Sequence, residues 1–300
     1  MLNLKLIYQR KIFLTISIVL TMVGLIFWFI FGLRYGIEFT GGSLMEVKFN
    51  ADVPGLTLVK DAVKQAGLKN DPIVQITDNG GAIIRFQESD EASRKAVFEK
   101  LQIAFPKISQ EKFDSIGPSI GNELRTKAIY SIFIVVIAII LYIAWAFRKV
   151  SYPVQSWKYG VAAVVALIHD ILITVGVFAF LGKFAGVEVD IPFIAALLTI
   201  LGYSVNDTIV VFDRIRENLG RVSKVTFEEV VNRSVNETMA RSINTTLTTL
   251  LALIAVYFFG GVSVQYFALA LIIGIFCGAY SSIFIASPIL VIWERLSRNK

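Results

Sequence analysis

Long apolar runs dominate the chain and alternate with shorter polar segments. A helix needs roughly 20 apolar residues to cross a hydrocarbon core about 30 Å thick. Runs of about that length cover residues 12–31, 128–147, 160–181, 192–212, 241–259 and 265–291. The pattern therefore predicts an α-helical polytopic membrane protein with six transmembrane helices.

The polar segment after the first run, residues 33–127, is long enough to fold as a domain. Alternating apolar and polar positions predict four strands, at 43–50, 73–77, 82–87 and 111–117. Helical spacing predicts one helix at 57–66 and a second one after the cap residue Asp90. The sequence Asp78-Asn79-Gly80-Gly81 is typical of a hairpin turn. The order β-α-β-β-α-β predicts a soluble ferredoxin-like α+β domain inserted after the first helix.

The basic residues indicate how the chain is oriented in the membrane. Lys and Arg concentrate at the N-terminus, between the second and third runs, between the fourth and fifth, and at the C-terminus. Since short basic loops stay in the cytoplasm, we expect both termini there. The expected parts are the N-terminus with the first helix (1–32), an extracytoplasmic domain (33–127) and five further helices (128–300). The net charge of +6 is thereby explained by topology and indicates no nucleic-acid partner.

Three shorter features refine the membrane part. The first run ends in bulky residues without a small-residue cleavage site, so we expect an uncleaved anchor rather than a signal peptide. Residues 214–240 combine apolar side chains with charged ones between them, which predicts an amphipathic helix along the cytoplasmic face of the membrane. Residues 274–278 form a GxxxG pattern, which we expect to serve packing within the bundle.

Polar residues inside the apolar runs are the candidate functional residues. They are Asp170 beside His169, and the pair Asn206-Asp207. An ionisable residue at the centre of a membrane helix costs about 2.5–3.5 kcal/mol on insertion scales, so it usually faces other helices or water. The fifth run spans a bilayer only if Arg241 is included, which puts Arg241 at a depth comparable with Asp207. Proton coupling through these residues is one interpretation, and structural pairing is the other, for Asp207 with Arg241 and for Asp170 with His169.

Helical periodicity extends this polar region along the fourth run. Asn206 and Asp213 share one face of the predicted helix, and Asp207 and Arg214 share the neighbouring face. The resulting polar stripe is either a proton path or the buried seam of the bundle.

The residue types exclude several kinds of site. The chain has a single Cys and a single His, so a disulfide framework or a Cys/His metal cluster is not expected. A Gly-rich phosphate-binding motif with Lys is missing from the sequence, as is a recognisable Ser/His/Asp constellation. We therefore expect no enzymatic activity and no cofactor.

Three segments of the chain carry recognisable motifs. The first comprises Glu38, Phe39, Thr40, Gly41 and Gly42, and the others are residues 195–218 and 231–242. The first resembles the Phe-Thr-Gly-Gly motif of the SecD/SecF family of protein-export membrane proteins, and the other two resemble segments of its SecF members. The family often has Asp where this chain has Glu38. The likeness extends over nearly the whole chain.

The resemblance implies one half of a transporter of the resistance-nodulation-division type in the bacterial inner membrane. SecD would supply the other half, beside the SecYEG channel and in contact with membrane lipid and the translocating preprotein, with YajC and YidC as further candidate partners. The pair would use the proton-motive force to promote translocation after the ATP-driven step. It assigns proton coupling to the positions of Asp207 and Arg241, and Asp213 with Arg214 would anchor the helix end. The alternatives are a proton-driven exporter of small molecules or lipids, and a purely structural stabiliser of the channel.

Overall fold

The computed structural model describes residues 4–50, 53–77, 80–148, 153–221 and 225–298. The chain divides into two compact units. The sheet unit consists of Tyr35–Tyr130 with Glu188–Ile191, and the helix unit contains the remaining residues. The short segment Glu188–Ile191, between two membrane helices, was not predicted to join the domain of residues 33–127. Its Val189 carbonyl accepts a hydrogen bond from the backbone N–H of Gly36 at 2.9 Å, which explains its membership of the sheet unit.

The chain begins with one membrane helix and continues into the sheet unit. A 3₁₀ turn, Ile7–Gln9, leads into α1. The next elements in order are α1 (Arg10–Phe31), α2 (Ile37–Thr40), β1 (Gly42–Phe49), α3 (Leu56–Lys64), β2 (Ile73–Thr77), β3 (Gly81–Phe86), α4 (Glu91–Ala104) and β4 (Ile108–Ile116). The strands form one antiparallel sheet in the order β2-β3-β1-β4. This arrangement confirms the predicted ferredoxin-like α+β fold. Asp78 and Asn79 of the predicted hairpin turn lie outside the described residues.

Alternation along the strands and helical spacing along α3 and α4 build the core of the sheet unit. The cluster contains fully buried side chains from both helices and from the central strands, among them Met45, Val59, Ile84 and Leu101. Burying one such side chain contributes about 1.5–3 kcal/mol.

Asp90 caps α4 as predicted. Its carboxylate accepts hydrogen bonds from the backbone N–H of Ser93 at 2.8 Å and from the Ser93 hydroxyl at 2.9 Å. These two bonds hold the pKa of the Asp90 carboxyl below its usual value. The cap satisfies one of the N–H groups that an α-helix leaves free at its start.

The remaining helices complete the membrane part. They are α5 (Pro118–Ala146), α6 (Ser156–Phe184), α7 (Ile191–Arg221), α8 (Phe227–Phe259), α9 (Val262–Ser281), a π-helical turn (Ser282–Ala286) and α10 (Ser287–Arg298). Within the described residues, six helical stretches are long and apolar enough to cross a membrane, which confirms the predicted number of spans. α9, the π turn and α10 together form the sixth. α5 begins before the apolar run at residue 128, because Pro118 suits the first helical position and Glu123 pairs with Lys127 at 2.7 Å.

Small residues let the membrane helices approach closely. In α1 and α6, Gly24 and Gly176 face each other, so that a Cβ atom on Gly176 would overlap the Gly24 backbone. In α9, Gly274 lies against Ile200 and Gly278 lies against Ser204, both on α7. The GxxxG pattern of residues 274–278 therefore packs within the bundle, as predicted.

Residues 214–240 do not form the single amphipathic helix that the sequence suggested. α7 continues to Arg221, and a new helix, α8, starts after Thr226, which forms a capping box with Glu229. The two helix ends bind each other through buried polar groups. The Asn218 amide donates to the Ser234 hydroxyl at 2.9 Å, and a hydrogen-bonded helix pair satisfies these groups better than a membrane surface would.

A buried carboxylate joins three helices at the same end of the helix unit as both termini. Glu228, at the start of α8, forms ion pairs with Arg10 of α1 and with Arg295 of α10. The backbone N–H of Ile7 also donates to the Asn232 side chain at 3.2 Å. Because Glu228 is buried, both ion pairs are largely shielded from solvent at the carboxylate.

The close contact between α1 and α6 predicts that Gly176→Ala destabilises the chain by about 1–3 kcal/mol, because the added methyl group overlaps the Gly24 backbone. Gly160→Ala on the same helix is the matched control, since its Cβ would meet its nearest neighbour at 3.9 Å. Thermal unfolding of the purified chain in detergent measures both. Equal midpoints for the two variants would contradict this packing.

Candidate functional site

The centre of the candidate site is Asp207, a buried carboxylate on α7 that is 7% exposed. The Ser242 hydroxyl of α8 donates to its Oδ1 at 2.6 Å. Its Oδ2 has no hydrogen-bond partner of normal geometry among the described residues, although the Ser282 side chain is close enough to interact with the carboxylate. A buried carboxylate oxygen without a partner is costly, unless it binds a proton or water.

Arg241, the predicted partner, acts on Asp207 through its charge but does not touch it. In the part of the chain that the structure describes, no ion pair joins the two side chains, and the Arg241 side chain is exposed. Successive residues of a helix point about 100° apart, so Ser242 faces α7 where Arg241 was expected. α7 and α8 therefore lie close together as expected, but Asp207 and Arg241 form no direct ion pair.

The polar stripe predicted along α7 separates into a buried and an exposed part. Asn206 is exposed, as is Asp213, whose carboxylate pairs with Arg216 at 2.7 Å. Arg214 is half-buried and pairs with Glu237 of α8 at 2.6 Å. Asp207 is therefore the member of the stripe that is buried between helices. The Arg214–Glu237 pair joins the C-terminal part of α7 to the N-terminal part of α8.

Asp170 on α6 forms a second buried carboxylate site and is 0% exposed. Its Oδ1 lies 2.9 Å from Nδ1 of His169. Its Oδ2 accepts hydrogen bonds from Ser204 of α7 at 2.7 Å and from Ser281 of α9 at 2.8 Å. Asp170 therefore joins three helices, and all of its hydrogen bonds come from buried side chains.

A ring of hydroxyl groups around the two carboxylates was missed by the sequence analysis. Its members are Ser204, Thr208, Ser242, Ser281 and Ser282. The available signal was their position inside apolar runs, with Ser204 and Thr208 spaced by four residues on one helix face. Single hydroxyl residues are common in membrane helices, so that signal alone does not identify the site.

Two of these hydroxyls lie where α9 passes into the π turn. The Ser287 hydroxyl donates to the Ser282 carbonyl at 2.9 Å, across that turn. The consecutive residues Ser281 and Ser282 reach different partners, since Ser281 binds Asp170 and the Ser282 hydroxyl lies 2.8 Å from that of Thr208. Single π turns inside α-helices occur frequently at functional sites.

One face of α7 and α8 is both exposed and polar. It is called the polar face below and consists of Asn206, Arg241, Asn244, Thr245 and Thr248. By contrast, α5 exposes bulky apolar side chains such as Phe133, Ile134 and Leu141. Polar and charged side chains in a membrane helix rarely face lipid, whereas apolar ones do so freely. The polar face is therefore suited to contact with another protein or with a water-filled space.

The Phe-Thr-Gly-Gly motif lies in the sheet unit, at the join between α2 and β1. Gly41 and Gly42 have φ angles of +75° and +126°, which favour glycine. A Cβ atom on Gly42 would lie 2.6 Å from the carbonyl oxygen of Phe86. Phe39 is buried and packs edge-to-face on Tyr35, with ring centroids 6.1 Å apart, while Glu38 is partly exposed.

Comparisons with known proteins place these features in a family. The model of the protein export membrane protein SecD/SecF C-terminal region matches residues 96–296, and that of the SecD/SecF GG motif matches residues 26–53. The chain belongs to the SecD/SecF family. The match includes both buried carboxylates and the motif at Gly41-Gly42.

Individual relatives support the same assignment. The chain is 44% identical to the protein translocase subunit SecF of Thermobaculum terrenum, over 95% of this chain and 92% of the relative. It is 40% identical to the SecF of Anaerolinea thermophila, over 97% and 94%. These relatives are named as translocase subunits, and with the six apolar spans they support a multi-pass membrane protein.

The solved structure of SecDF from Thermus, a translocon-associated membrane protein, matches with a TM-score of 0.84 and 33% identity, over 96% of this chain. SecDF in a super-membrane-facing form matches with a TM-score of 0.71 and 32% identity, over 98% of this chain. The chain spans only 38% and 39% of these two SecDF chains.

The backbone at the motif predicts that Gly42→Ala destabilises the sheet unit by about 1–3 kcal/mol, because Ala avoids this φ and its Cβ meets the Phe86 carbonyl at 2.6 Å. Gly117→Ala is the matched control, because a Cβ there meets nothing within 4 Å. Limited proteolysis of the full chain in detergent measures the loss as faster cleavage within residues 35–130. Cleavage at the same rate in both variants would refute the proposed constraint.

Proposed function

We propose that this chain works with a SecD-type protein as one half of a membrane unit that uses the proton-motive force to promote preprotein translocation. Asp207 is the proton-binding residue, and Arg241 is the charge that responds to it. The observation that carries the proposal is the Asp207 carboxylate, which is buried yet lacks a partner at Oδ2 among the described residues. A buried carboxylate oxygen without a partner is a candidate for binding and releasing a proton.

The polar face supports the need for a SecD-type partner. Arg241 and Asn206 are exposed on helices of membrane-spanning length, where contact with lipid is unfavourable. The chain also spans only 38% of the SecDF chain that it resembles, which leaves room in that protein for a second half. A second set of membrane helices against the polar face would bury Arg241 close to Asp207.

The proposed chemistry is a single reversible proton transfer. When Asp207 is ionised, the positive charge of Arg241 attracts it. A proton from water on one side binds at Oδ2, removes that attraction and turns the side chain into a hydrogen-bond donor. The same proton later leaves to the opposite side. Its passage down the membrane potential releases about 2.3 kcal/mol per 100 mV, which is comparable with the difference between two packing arrangements of helices.

The expected setting follows from the charge distribution and the family. Both termini lie in the cytoplasm, and the sheet unit lies outside the bacterial inner membrane, where it meets the emerging preprotein. The SecYEG channel is the expected neighbour, with YajC and YidC as further candidates. The unit acts after the ATP-driven step and hydrolyses no nucleotide itself.

A permanent Asp207–Arg241 ion pair that only stabilises helix packing is the competing function. The absence of that pair from the described contacts favours a pair that forms and breaks. The exporter alternative has no observation of its own among the described residues.

Proton coupling through Asp207 predicts that Asp207→Asn and Arg241→Met each reduce preprotein export to the level left after an uncoupler is added. The measurement uses proteoliposomes that contain the chain, a SecD-type partner and the channel. Asp213→Asn is the matched control on α7, because its exposed pair with Arg216 is worth at most about 1 kcal/mol. Full uncoupler-sensitive export by the Asp207 and Arg241 variants would refute the proposal, as would transport of a small molecule without any association with a SecD-type protein.

A further inference from the structure

A second buried acid, Asp170, has no part in the proposed proton step. It is fully buried, and the adjacent His169 is 5% exposed. Their contact, 2.9 Å from His169 Nδ1 to Asp170 Oδ1, lies within α6, a helix of membrane-spanning length. Two adjacent titratable groups inside a membrane helix cost free energy, unless they serve a function or are neutral.

The net charge of the His169–Asp170 pair decides which of its protonation states is stable. An ionised Asp170 with a neutral imidazole carries one buried negative charge. In the described part of the chain, Asp170 has no ion pair with Lys or Arg, and its other contacts are the hydroxyls of Ser204 and Ser281. One additional proton makes the pair neutral overall, as an imidazolium–carboxylate pair. The low dielectric of the interior therefore favours binding of a proton by His169 and Asp170 as a unit.

The geometry identifies the atom that receives this proton. Nδ1 of His169 contacts the Asp170 carboxylate, so Nε2 is the ring nitrogen that remains to receive the proton. Nε2 is buried and has no hydrogen-bond partner among the described residues. Carboxylate-oriented histidines in proteins exchange protons at the nitrogen that points away from the carboxylate.

The groups around the pair come from neighbouring helices. α9 contributes the Tyr280 ring, whose centroid is 6.2 Å from that of His169, and the buried Cys277. α7 contributes Ser204, which donates to Asp170 at 2.7 Å, and the other buried carboxylate, Asp207, follows three residues later on the same helix. α1 contributes the Phe13 carbonyl, which accepts a hydrogen bond from the Tyr280 hydroxyl at 3.1 Å. Among these groups, Asp207 is the one that exchanges a proton in the proposed function.

The π turn connects this pair to Asp207. Ser281 donates to Asp170, while its neighbour Ser282 contacts Thr208, the residue next to Asp207. On α7, Ser204 binds Asp170, and its backbone carbonyl accepts a hydrogen bond from Thr208 at 3.1 Å. A shift of the π turn or of α7 at one carboxylate therefore displaces hydroxyl groups at the other.

We infer that His169 and Asp170 form a second proton-binding site, coupled to Asp207 through the π turn and α7. A proton from water binds at Nε2 and creates an imidazolium beside the Asp170 carboxylate, and the same proton returns to water when the pair is deprotonated. Ser204 and Ser281 are positioning residues that hold the carboxylate. The inference rests on the proposed function, because it assigns the second site to the same proton-driven cycle.

The test uses the fact that His169 is the single histidine of the chain. Chain labelled with ¹⁵N-histidine, reconstituted in lipid with an unlabelled SecD-type partner, reports the protonation of this ring by nuclear magnetic resonance. Spectra recorded over the pH range in which the complex stays folded should show the ring change from one protonation state to the other in a single step. We expect Asp207→Asn to move its midpoint by about 1 pH unit, because the two sites interact. Thr174→Val is the matched control and should leave the midpoint unchanged, since among the described residues the Thr174 hydroxyl bonds only to the Asp170 backbone carbonyl, at 2.9 Å.

A ring that keeps one protonation state over this pH range would overturn the inference, and so would a midpoint that Asp207→Asn leaves in place. The wild-type titration needs no variant, so poor folding of a variant leaves that result intact. Export assays separate the two proposals. If Asp207→Asn abolishes uncoupler-sensitive export while His169→Gln retains it in full, the second site is refuted and the proposed function stands. If Asp207→Asn retains it, the proposed function itself is refuted.

Discussion

A carboxylate inside an apolar helix bundle must be neutralised or bound by polar groups, and this constraint organises the centre of the membrane part. Asp170 meets it with three side-chain contacts from three helices. Asp207 meets it only in part, through Ser242. The contrast separates a carboxylate whose two oxygens both have partners from one with an oxygen that has none among the described residues, and the proposed function assigns proton exchange to the second.

Close helix packing makes this arrangement possible. Gly278 of α9 lies against Ser204 of α7, which brings the hydroxyl within reach of Asp170. The π turn follows on the same span and directs Ser281 and Ser282 to different neighbours. Small residues and one irregular turn thus supply the polar contacts that the apolar side chains of the bundle lack.

The periodicity of apolar residues in the sequence predicts the helices and strands of the fold. The six spans, the ferredoxin-like sheet, the Asp90 cap and the packing of residues 274–278 all follow from apolar spacing and turn chemistry. The contacts of the site did not follow, because they depend on the rotation of each helix about its axis. A rotation of one residue decides whether Arg241 or Ser242 faces Asp207, and apolar runs with all-round hydrophobicity leave that rotation undetermined.

The most direct test of the central claim measures the protonation of Asp207 itself. Infrared difference spectra of the reconstituted complex, recorded with and without an imposed proton gradient, detect a carboxylic acid band when a buried carboxylate binds a proton. Proton binding by Asp207 predicts such a band in the wild-type complex and its loss in Asp207→Asn. A spectrum with no carboxylic acid change on applying the gradient, or with the same change in Asp207→Asn, would contradict it.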